Sequence, residues 1–351
     1  MPANKKTIQY WEKRFEDILI ANEKLGLDFE KELAKIYAQT KLDVENQLES
    51  FYNRYAKETG ISLAEARKRL NGSQLKKFKT QQQIYLDKVE ELISRGANLE
   101  NYAKRLKLLS GRAYVSRLQE IQNNLNTLIT ILNAEQELRM GDVLKSSYLQ
   151  GYTETMFVLQ KGLGIGMSFN IPDNDAVLKV LRTPWNGNNY SSSIWSNKQK
   201  LTDWLNTDLP RHMASGSSIE RISKDLSKKL DVSYNNAVRL VRTEVNYISN
   251  QSSMDSYKSS GVVEKYQILA TLDDRTSDIC RDMDGKIFDV KESKVGVNTP
   301  PFHVRCRTTT VPYFEDEDYS DLERIARGSD GKTYHVPADM TYNEWLKKYG
   351  K

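Results

Sequence analysis

Apolar residues in the first 160 positions recur every three or four residues, with few breaks between the runs. Val44, Leu48 and Phe51 are spaced in this way, and a second stripe runs from Val115 to Leu132. Each stripe occupies one face of an α-helix, and that face must be buried against another element. The pattern therefore predicts a region of long amphipathic helices.

The composition agrees with a helix-rich protein. Hydrophobic residues make up 38% of the 351 positions and charged residues 28%, which suits helices with long solvated faces better than a compact enzyme with a thick core. The length allows about two domains at roughly 150 residues each.

Changes in residue composition divide the chain further. After the helical region 1–160, Gly and Trp become frequent, and we expect a helical middle region with a linker at 161–260. The β-branched and aromatic runs "VVEKYQILATL", "KIFDV" and "CRTTTVPY" then predict a small mixed domain at 261–313. An acidic connector and a short C-terminal helix are expected at 314–351. The predicted fold class is α+β.

The middle region is expected to hold two helices, the first capped by Ser217 and the second running from about Ser233 to Gly261. The second contains "VRTEVN", in which Arg242 and Glu244 are two residues apart and cannot face each other. Either they make separate buried or interface contacts, or they are ordinary exposed charges.

Three tryptophans mark the same region: Trp185, Trp195 and Trp204. They are either core residues of a helical subdomain or part of a surface that binds a partner.

Charge is unevenly distributed, although the net charge is only +5. Residues 314–323 carry six acidic side chains and no basic one, whereas 66–79 carry six basic side chains and no acidic one. The basic stretch is either a solvated helix face or a site that contacts nucleic acid through phosphates. Its candidate residues are Arg67, Lys68, Arg69, Lys76, Lys77 and Lys79.

No apolar run approaches the ~20 residues that cross a bilayer, and the first residues contain no apolar signal segment. We therefore expect a soluble protein without a membrane partner. The two cysteines are too few for a disulfide scaffold and are compatible with a reducing cytoplasm.

The chemically richest segment contains Cys280, His303 and Cys306. The His-x-x-Cys spacing can present both side chains to one ion, with Cys280 arriving from the preceding element, so that zinc is a candidate cofactor. A structural zinc site usually has a fourth ligand, and only aspartates such as Asp278 lie nearby. Alternatively, the cysteines are buried apolar residues beside a hydrogen-bonded histidine, or they form a redox-sensitive pair.

No catalytic site is complete in this segment. A Cys–His pair could act as a nucleophile if the imidazolium stabilised a thiolate, but no third residue completes such a site. The Asp273-Asp274-Arg275 cluster is more typical of an ion-paired turn. We therefore expect a protein that is not an enzyme.

These residues also carry a resemblance. "LDDRTSDICRDMDGKIF" followed by "NTPPFHVRCRTTTVPY" resembles the C-terminal domain of the phage Mu F-like minor head proteins, the head morphogenesis family of tailed phages. The blocks "YWEKRFEDI", "PWNGNNYSSSIW" and "PADMTYNEWLKKY" resemble the versions found in phages and prophages of Gram-positive hosts. "AVRLVRTEVN" resembles the helix that precedes that domain, which adds Arg242 and Glu244. Within the domain itself, the match covers Asp273, Arg275, Thr276, Cys280, Asp284, Gly285, Phe288, Pro301, His303, Cys306 and Arg307.

The sequence departs from the family pattern at two positions. Some members have a second cysteine where this chain has Ser277, and the proline that follows the family histidine is Val304 here. The first departure removes a thiolate from the candidate zinc site.

The resemblance implies a minor capsid protein of a tailed phage or prophage. Such a protein would be located in the virion head near the portal vertex and in the host cytoplasm during assembly. Its expected partners are the portal protein, capsid or scaffold proteins, and packaged DNA. The small domain would be a rigid module that includes Asp273, Arg275 and Arg307. The alternative is a zinc-dependent hydrolase or nuclease centred on Cys280, His303 and Cys306.

Overall fold

The computed structural model describes residues 8–55, 62–314, 323–327, 332–337 and 340–349. Most of the predicted acidic connector lies outside these residues. None of the described helices is long and apolar enough to cross a membrane.

Long helices dominate the described part of the chain, as the apolar stripes predicted. The ten helices described are α1 (Ile8–Tyr55), α2 (Leu63–Ala66), α3 (Gly72–Ser94), α4 (Glu100–Ser110), α5 (Arg117–Leu163), α6 (Asn174–Arg182), α7 (Tyr190–Ala214), α8 (Ile219–Ser260), α9 (Asp278–Met283) and α10 (Tyr342–Tyr349).

Two small antiparallel sheets lie in the C-terminal part of the chain. In the first, β1 (Lys265–Leu269) is the central strand between β2 (Ile287–Asp289) and β3 (Thr309–Tyr313). The second contains β4 (Glu323–Arg327) and β5 (Thr333–Pro337). The fold class is α+β, as predicted.

The chain forms two compact units, and each unit is assembled from separated stretches. Unit 1 contains Met1–Phe29, Gly141–Tyr190 and Arg239–Lys351, and unit 2 contains Glu30–Met140 and Ser191–Val238. The helices α1, α5 and α8 contribute residues to both units. The predicted boundaries near residues 160, 260 and 313 are not tested by this division and stay predictions.

The core of unit 1 joins helices to the three-stranded sheet. Trp11, Phe15 and Tyr257 are almost completely buried there and pack with Tyr266 and Ile268 from β1. Each such side chain removes a large apolar area from water, so the sheet is stabilised mainly by the helices beside it.

Unit 2 has its own core. Leu86, Val89 and Leu92 of α3 pack against Leu106 of α4 and Ala134 of α5. The spacing of three residues along α3 is the helical pattern that the sequence shows.

The prediction of two helices between Ser217 and Gly261 was wrong. A single helix, α8, runs through Ser233, and Ser218, one residue later than predicted, receives the first backbone N–H from Arg221. Ser233 is buried within hydrogen-bonding distance of Tyr37, so its hydroxyl has a partner away from the backbone.

The predicted end of the helix at Gly261 was correct. Gly261 follows the end of α8 with φ +66, and Gly285 provides the turn before β2 with φ +77. Both are left-handed conformations that glycine adopts without steric cost. The pairing of β4 with β5 was not predicted, because that segment was expected to be a connector and a tail.

The three tryptophans were predicted to be either core residues or part of a partner-binding surface, and they differ in burial. Trp204 is buried in unit 2, whereas Trp185 and Trp195 are half-buried and donate indole hydrogen bonds to Glu244 and Glu137, respectively. They therefore satisfy carboxylates within the fold.

Candidate functional site

The candidate site lies around the end of β1, the helix α9 and the segment that leads into β3, all within unit 1. Sheet pairing places Leu269 opposite Thr309, which brings the residues after β1 close to those before β3. A cis peptide bond between Pro300 and Pro301 lies in the same segment.

Asp273 is the centre of a hydrogen-bonded brace. Its carboxylate accepts two bonds from the guanidinium of Arg307, at 2.5 and 2.7 Å, and one from the backbone N–H of Arg275 at 3.0 Å. The hydroxyl of Thr276 lies 3.1 Å from the same carboxylate and 2.5 Å from the carbonyl oxygen of Thr271. A bidentate arginine–carboxylate pair combines strength with a fixed orientation.

The electrostatics follow from this geometry. Burial alone would raise the pKa of Asp273, but the hydrogen bonds and positive charge of Arg307 outweigh it and lower the pKa to about 2. The carboxyl is therefore ionised throughout the physiological range.

Arg275 makes a smaller contribution than predicted for a bracing residue. Its side chain is 68% exposed and reaches Asp273 at 3.5 Å, so Arg307 is the main cationic partner. The backbone N–H of Arg275, by contrast, is part of the brace.

Asp284 connects the motif to the C-terminal helix. One carboxylate oxygen accepts the N–H of Ala270, and the other accepts the N–H of Tyr342 at the start of α10. The hydroxyl of Tyr342 donates to the carbonyl oxygen of Asp273 at 2.8 Å. Two motif aspartates are thus joined to α10.

The predicted metal-ligating residues converge. The Cys280 Sγ lies 3.6 Å from the Cys306 Sγ and 3.2 Å from the His303 Nε2, and all three ligand atoms lie within 4.8 Å of one another. Both cysteines are buried and free, beside Ala270 and Phe302. The two thiols form a hydrogen-bonded pair and not a disulfide, whose sulfurs would be about 2.05 Å apart.

The pKa values of the two thiols are shifted in opposite directions. The hydrogen bond from Cys280 lowers the pKa of Cys306, and the same interaction, together with burial, raises the pKa of Cys280. The hydrogen bond with Cys306 raises the pKa of His303. A thiolate beside an imidazole is the donor chemistry that zinc prefers.

The helix α8 positions the segment that carries Cys306. Thr243 accepts the backbone N–H of Arg305, which has a left-handed φ of 62, and the side-chain amides of Asn246 and Asn250 both donate to the carbonyl oxygen of Thr308. Neither asparagine was predicted from the sequence. The helical spacing of three residues from Thr243 to Asn246 and of four from Asn246 to Asn250 was the available signal.

The two charged residues of "VRTEVN" have different environments. Arg242 is exposed, whereas Glu244 is 4% exposed and accepts hydrogen bonds from the indole of Trp185 at 3.3 and 3.4 Å. Burial raises the pKa of Glu244 to about 7 despite these bonds. Glu244 is therefore a buried carboxyl whose hydrogen-bond donor is an indole.

The predicted nucleic-acid residues lie in unit 2, separate from the motif. Arg67, Lys68, Arg69, Lys76 and Lys77 are exposed, and Lys79 is half-buried. Lys68 forms an ion pair with Glu65, which reduces the charge available to a ligand.

Comparisons with known proteins agree with the motif. The family model described as "Phage Mu protein F like protein" matches residues 203–311, which include both the "VRTEVN" helix and the cysteine segment. The minor head protein GP7 of Bacillus phage SPP1 is 24% identical over 294 residues, which cover 71% of this chain and 94% of that protein. Residues 203–311 thus resemble the phage Mu F-like proteins, and most of the chain resembles a minor head protein.

A second relative has a different name. The NAD(+)–arginine ADP-ribosyltransferase EFV of Enterococcus faecalis is 22% identical over 283 residues, covering 76% of this chain but only 56% of that protein. The chain thus spans little more than half of that relative. No solved structure matches the chain significantly.

Proposed function

We propose that the protein is a minor head protein that acts in head morphogenesis of a tailed phage or prophage and associates with the portal vertex. The observation that carries this proposal is the similarity to a minor head protein along 94% of that protein's length. Extended helices in both units offer long surfaces for assembly partners, namely portal, capsid or scaffold proteins. Its location would be the virion head and, during assembly, the host cytoplasm.

The proposed role is structural and not enzymatic. A catalytic histidine is normally oriented by a third residue, whereas the Nδ1 of His303 lies 2.8 Å from the carbonyl oxygen of its neighbour Val304. The hydrolase alternative requires a carboxylate at the cluster, but the side chain of Asp278 is 92% exposed and pairs with Arg281. Asp284 uses both carboxylate oxygens to accept backbone N–H groups.

The ADP-ribosyltransferase name of the Enterococcus relative does not change this proposal. The match leaves nearly half of that protein outside the aligned region. At this identity and coverage, the activity in its name is not transferred to this chain.

Contact with packaged DNA is the second part of the proposal. The segment that carries Arg69 runs beside the loop that carries Tyr114, because the N–H of Leu70 donates to the carbonyl oxygen of Val115 and the N–H of Arg117 to that of Lys68. The guanidinium of Arg69 lies over the Tyr114 ring at 4.5 Å.

This arrangement gives the basic patch an aromatic member. Tyr114 is 61% exposed, and Arg112 beside it is also exposed. Further along, Lys76 and Lys77 border a groove of about 420 Å³. Basic side chains around a groove suit contacts to phosphates without reading of base sequence.

Co-assembly tests the head role. The chain is produced together with the portal, scaffold and major capsid proteins of the genome that encodes it, and the assembled particles are purified and analysed for bound chain. We expect a few copies in each particle, and no incorporation when the portal gene is omitted. Particles that lack the chain would refute the head role, and incorporation without portal would refute the association with the portal vertex.

A further inference from the structure

Ser277, which stands where some family members have a second cysteine, lies beside the cysteine–histidine cluster. It caps α9 by accepting the N–H of Cys280, and its hydroxyl lies 2.8 Å from the Nε2 of His303. An oxygen atom therefore lies beside the nitrogen that faces the two sulfurs. The cluster contains four candidate ligand atoms from two segments.

The separations of the Cys280 sulfur from Cys306 and His303 are close to those around a tetrahedral ion. For zinc at about 2.3 Å from sulfur and about 2.05 Å from nitrogen, tetrahedral angles separate two sulfurs by about 3.8 Å and a sulfur and nitrogen by about 3.6 Å. The corresponding distances here are 3.6 Å between the cysteines and 3.2 Å between Cys280 and His303. Movements of a few tenths of an ångström would bring these atoms to the ideal separations.

The histidine ring is already oriented for this role. Its Nδ1 lies 2.8 Å from the carbonyl oxygen of Val304, an acceptor that requires the proton on Nδ1. The Nε2 lone pair then points toward the thiols. Metal-binding histidines are typically held in this way, with the second nitrogen donating to a carbonyl or carboxylate.

The donor set selects the metal. Two thiols and one imidazole are soft or borderline ligands, which exclude calcium and magnesium and favour zinc. The cluster is also packed between buried Ala270 and half-buried Phe302. Such a shell is typical of a structural site that is closed to substrates.

We propose that Cys280, His303 and Cys306 bind one structural zinc ion, with the hydroxyl of Ser277 as the oxygen ligand in the fourth position. The ion would join α9 to the segment that precedes β3. This proposal does not depend on the role in head assembly, since it concerns metal content alone.

Metal analysis of the full chain tests the proposal. The purified protein is stripped with a chelator under reducing conditions, reconstituted with zinc or cobalt, and freed of excess metal. We expect one zinc per chain by elemental analysis. The cobalt form should show the intense visible bands of a tetrahedral ion together with a thiolate-to-cobalt charge-transfer band. Protein that retains no zinc, or cobalt spectra without the charge-transfer band, would overturn the proposal.

Variants assign the ligands. Cys306→Ser and His303→Gln should lose the bound metal, whereas Asp278→Asn, which changes an exposed carboxylate beside the cluster, should retain it. Loss of metal in Asp278→Asn to the same extent would contradict the assignment. Because a cysteine variant can fail to fold, Ser277→Cys provides an independent test. It should tighten cobalt binding and intensify the charge-transfer band, and an unchanged spectrum would refute the fourth position.

A disulfide is the competing state of the same two cysteines. Protein purified without reductant is analysed by intact mass and thiol titration, before and after zinc is added. Two titratable thiols that zinc protects from alkylation support the proposal. A disulfide that re-forms in the presence of zinc would overturn it.

Discussion

At the scale of single residues, two buried carboxyls have pKa values shifted in opposite directions. Arg307 keeps Asp273 ionised, with a pKa of about 2, whereas Glu244 receives hydrogen bonds only from an indole among the contacts described and has a pKa of about 7. A charged partner thus decides whether burial raises or lowers the pKa of a carboxyl. The two residues therefore affect folding stability in different pH windows.

Arg307→Ala should strongly destabilise unit 1. The change leaves a buried carboxylate without its cation, at a cost of about 3 kcal/mol. In the native chain, the low pKa of Asp273 means that its contribution is complete above about pH 4 and is lost as the pH falls toward 2. In the variant, burial without the arginine should raise the pKa of Asp273, so this loss of stability at low pH should shrink or reverse.

Urea unfolding between pH 2 and pH 7 would measure the effect of Arg307→Ala. Arg275→Ala is the matched control, because its side chain is largely exposed and meets Asp273 only at 3.5 Å. Equal destabilisation by both variants would contradict the assignment of Arg307 as the main partner.

Glu244→Gln should stabilise the protein at neutral and higher pH. A carboxyl whose pKa is raised by burial opposes folding once it ionises, so native stability falls as the pH rises from about 4.5 to about 7. Gln still accepts a hydrogen bond from Trp185 but does not ionise. The variant should therefore keep a free energy of unfolding on the order of 3 kcal/mol that the native chain loses by pH 8.

Thermal unfolding across that pH range would test Glu244→Gln. Glu220→Gln changes an exposed carboxyl on the same helix and should leave the decrease of stability with pH unchanged. If stability falls with pH as steeply in Glu244→Gln as in the native chain, Glu244 is not the source of that decrease.

Residue chemistry explains what could be predicted in the site. Cys280, His303 and Cys306 were identified as candidate metal ligands because the His-x-x-Cys spacing can present both side chains to one ion, and the structure brings the three residues together. Asn246 and Asn250 were missed, because polar residues on a helix usually face solvent and their spacing from Thr243 does not by itself show burial. Only the position of the Thr308 carbonyl shows that they are buried for a reason.

At the scale of elements, α5 approaches its neighbours at glycines. A Cβ added at Gly162 would lie 2.2 Å from the indole of Trp11 in α1, and one at Gly151 would lie 2.3 Å from the hydroxyl of Ser252 in α8. The absence of a side chain thus permits the close packing of α5 in unit 1. Close packing, and not flexibility, therefore explains why glycine occurs at these two positions of the helix.

Gly162→Ala should therefore destabilise the protein, although alanine is the better helix former. Overpacking against a fully buried tryptophan costs roughly 1–3 kcal/mol, which exceeds the gain of about 1 kcal/mol in helix propensity. Gly72→Ala at the start of α3 is the control, since no atom lies within 4 Å of its added Cβ. Chemical unfolding should show opposite signs for the two variants, and stabilisation by both would contradict the proposed contact.

Element types were easier to predict than element boundaries. The stripes that predicted long helices reflect the burial of whole faces, which a periodic sequence records directly. The helix break expected near Ser233 was wrong. A serine can cap the start of a helix, but it can also lie buried within one, and the hydrogen-bonding partner of Ser233, Tyr37, is nearly 200 positions away in the sequence. The pairing of β4 with β5 escaped prediction because a short two-stranded sheet has a weak pattern.

At the scale of the whole molecule, the basic patch and the motif lie in different compact units. DNA contact and the cysteine–histidine cluster should therefore be separable by mutation. Variants that abolish metal binding need not alter the charge of the patch.

Replacing both Lys76 and Lys77 with Gln should weaken DNA binding equally for all sequences. Loss of two phosphate contacts should reduce the slope of log affinity against log salt by about two. Binding to duplexes of unrelated sequence at several salt concentrations would measure this. Gln at both Lys228 and Lys229 is the control, because it removes the same charge from exposed positions of α8. An equal loss of affinity in the control would mean that net charge alone accounts for binding.

The contacts of α10 have a consequence for the integrity of the chain. Tyr342 and Trp345 pack with Leu272, Ala326 and Val336, and Tyr342 also hydrogen-bonds to the two motif aspartates. The segment from β4 to α10 is thus held to the rest of unit 1 by apolar packing and hydrogen bonds. A protein nicked between residues 314 and 323 would remain a two-part complex, and a synthetic terminal fragment could replace the native one, as in split-reporter complementation.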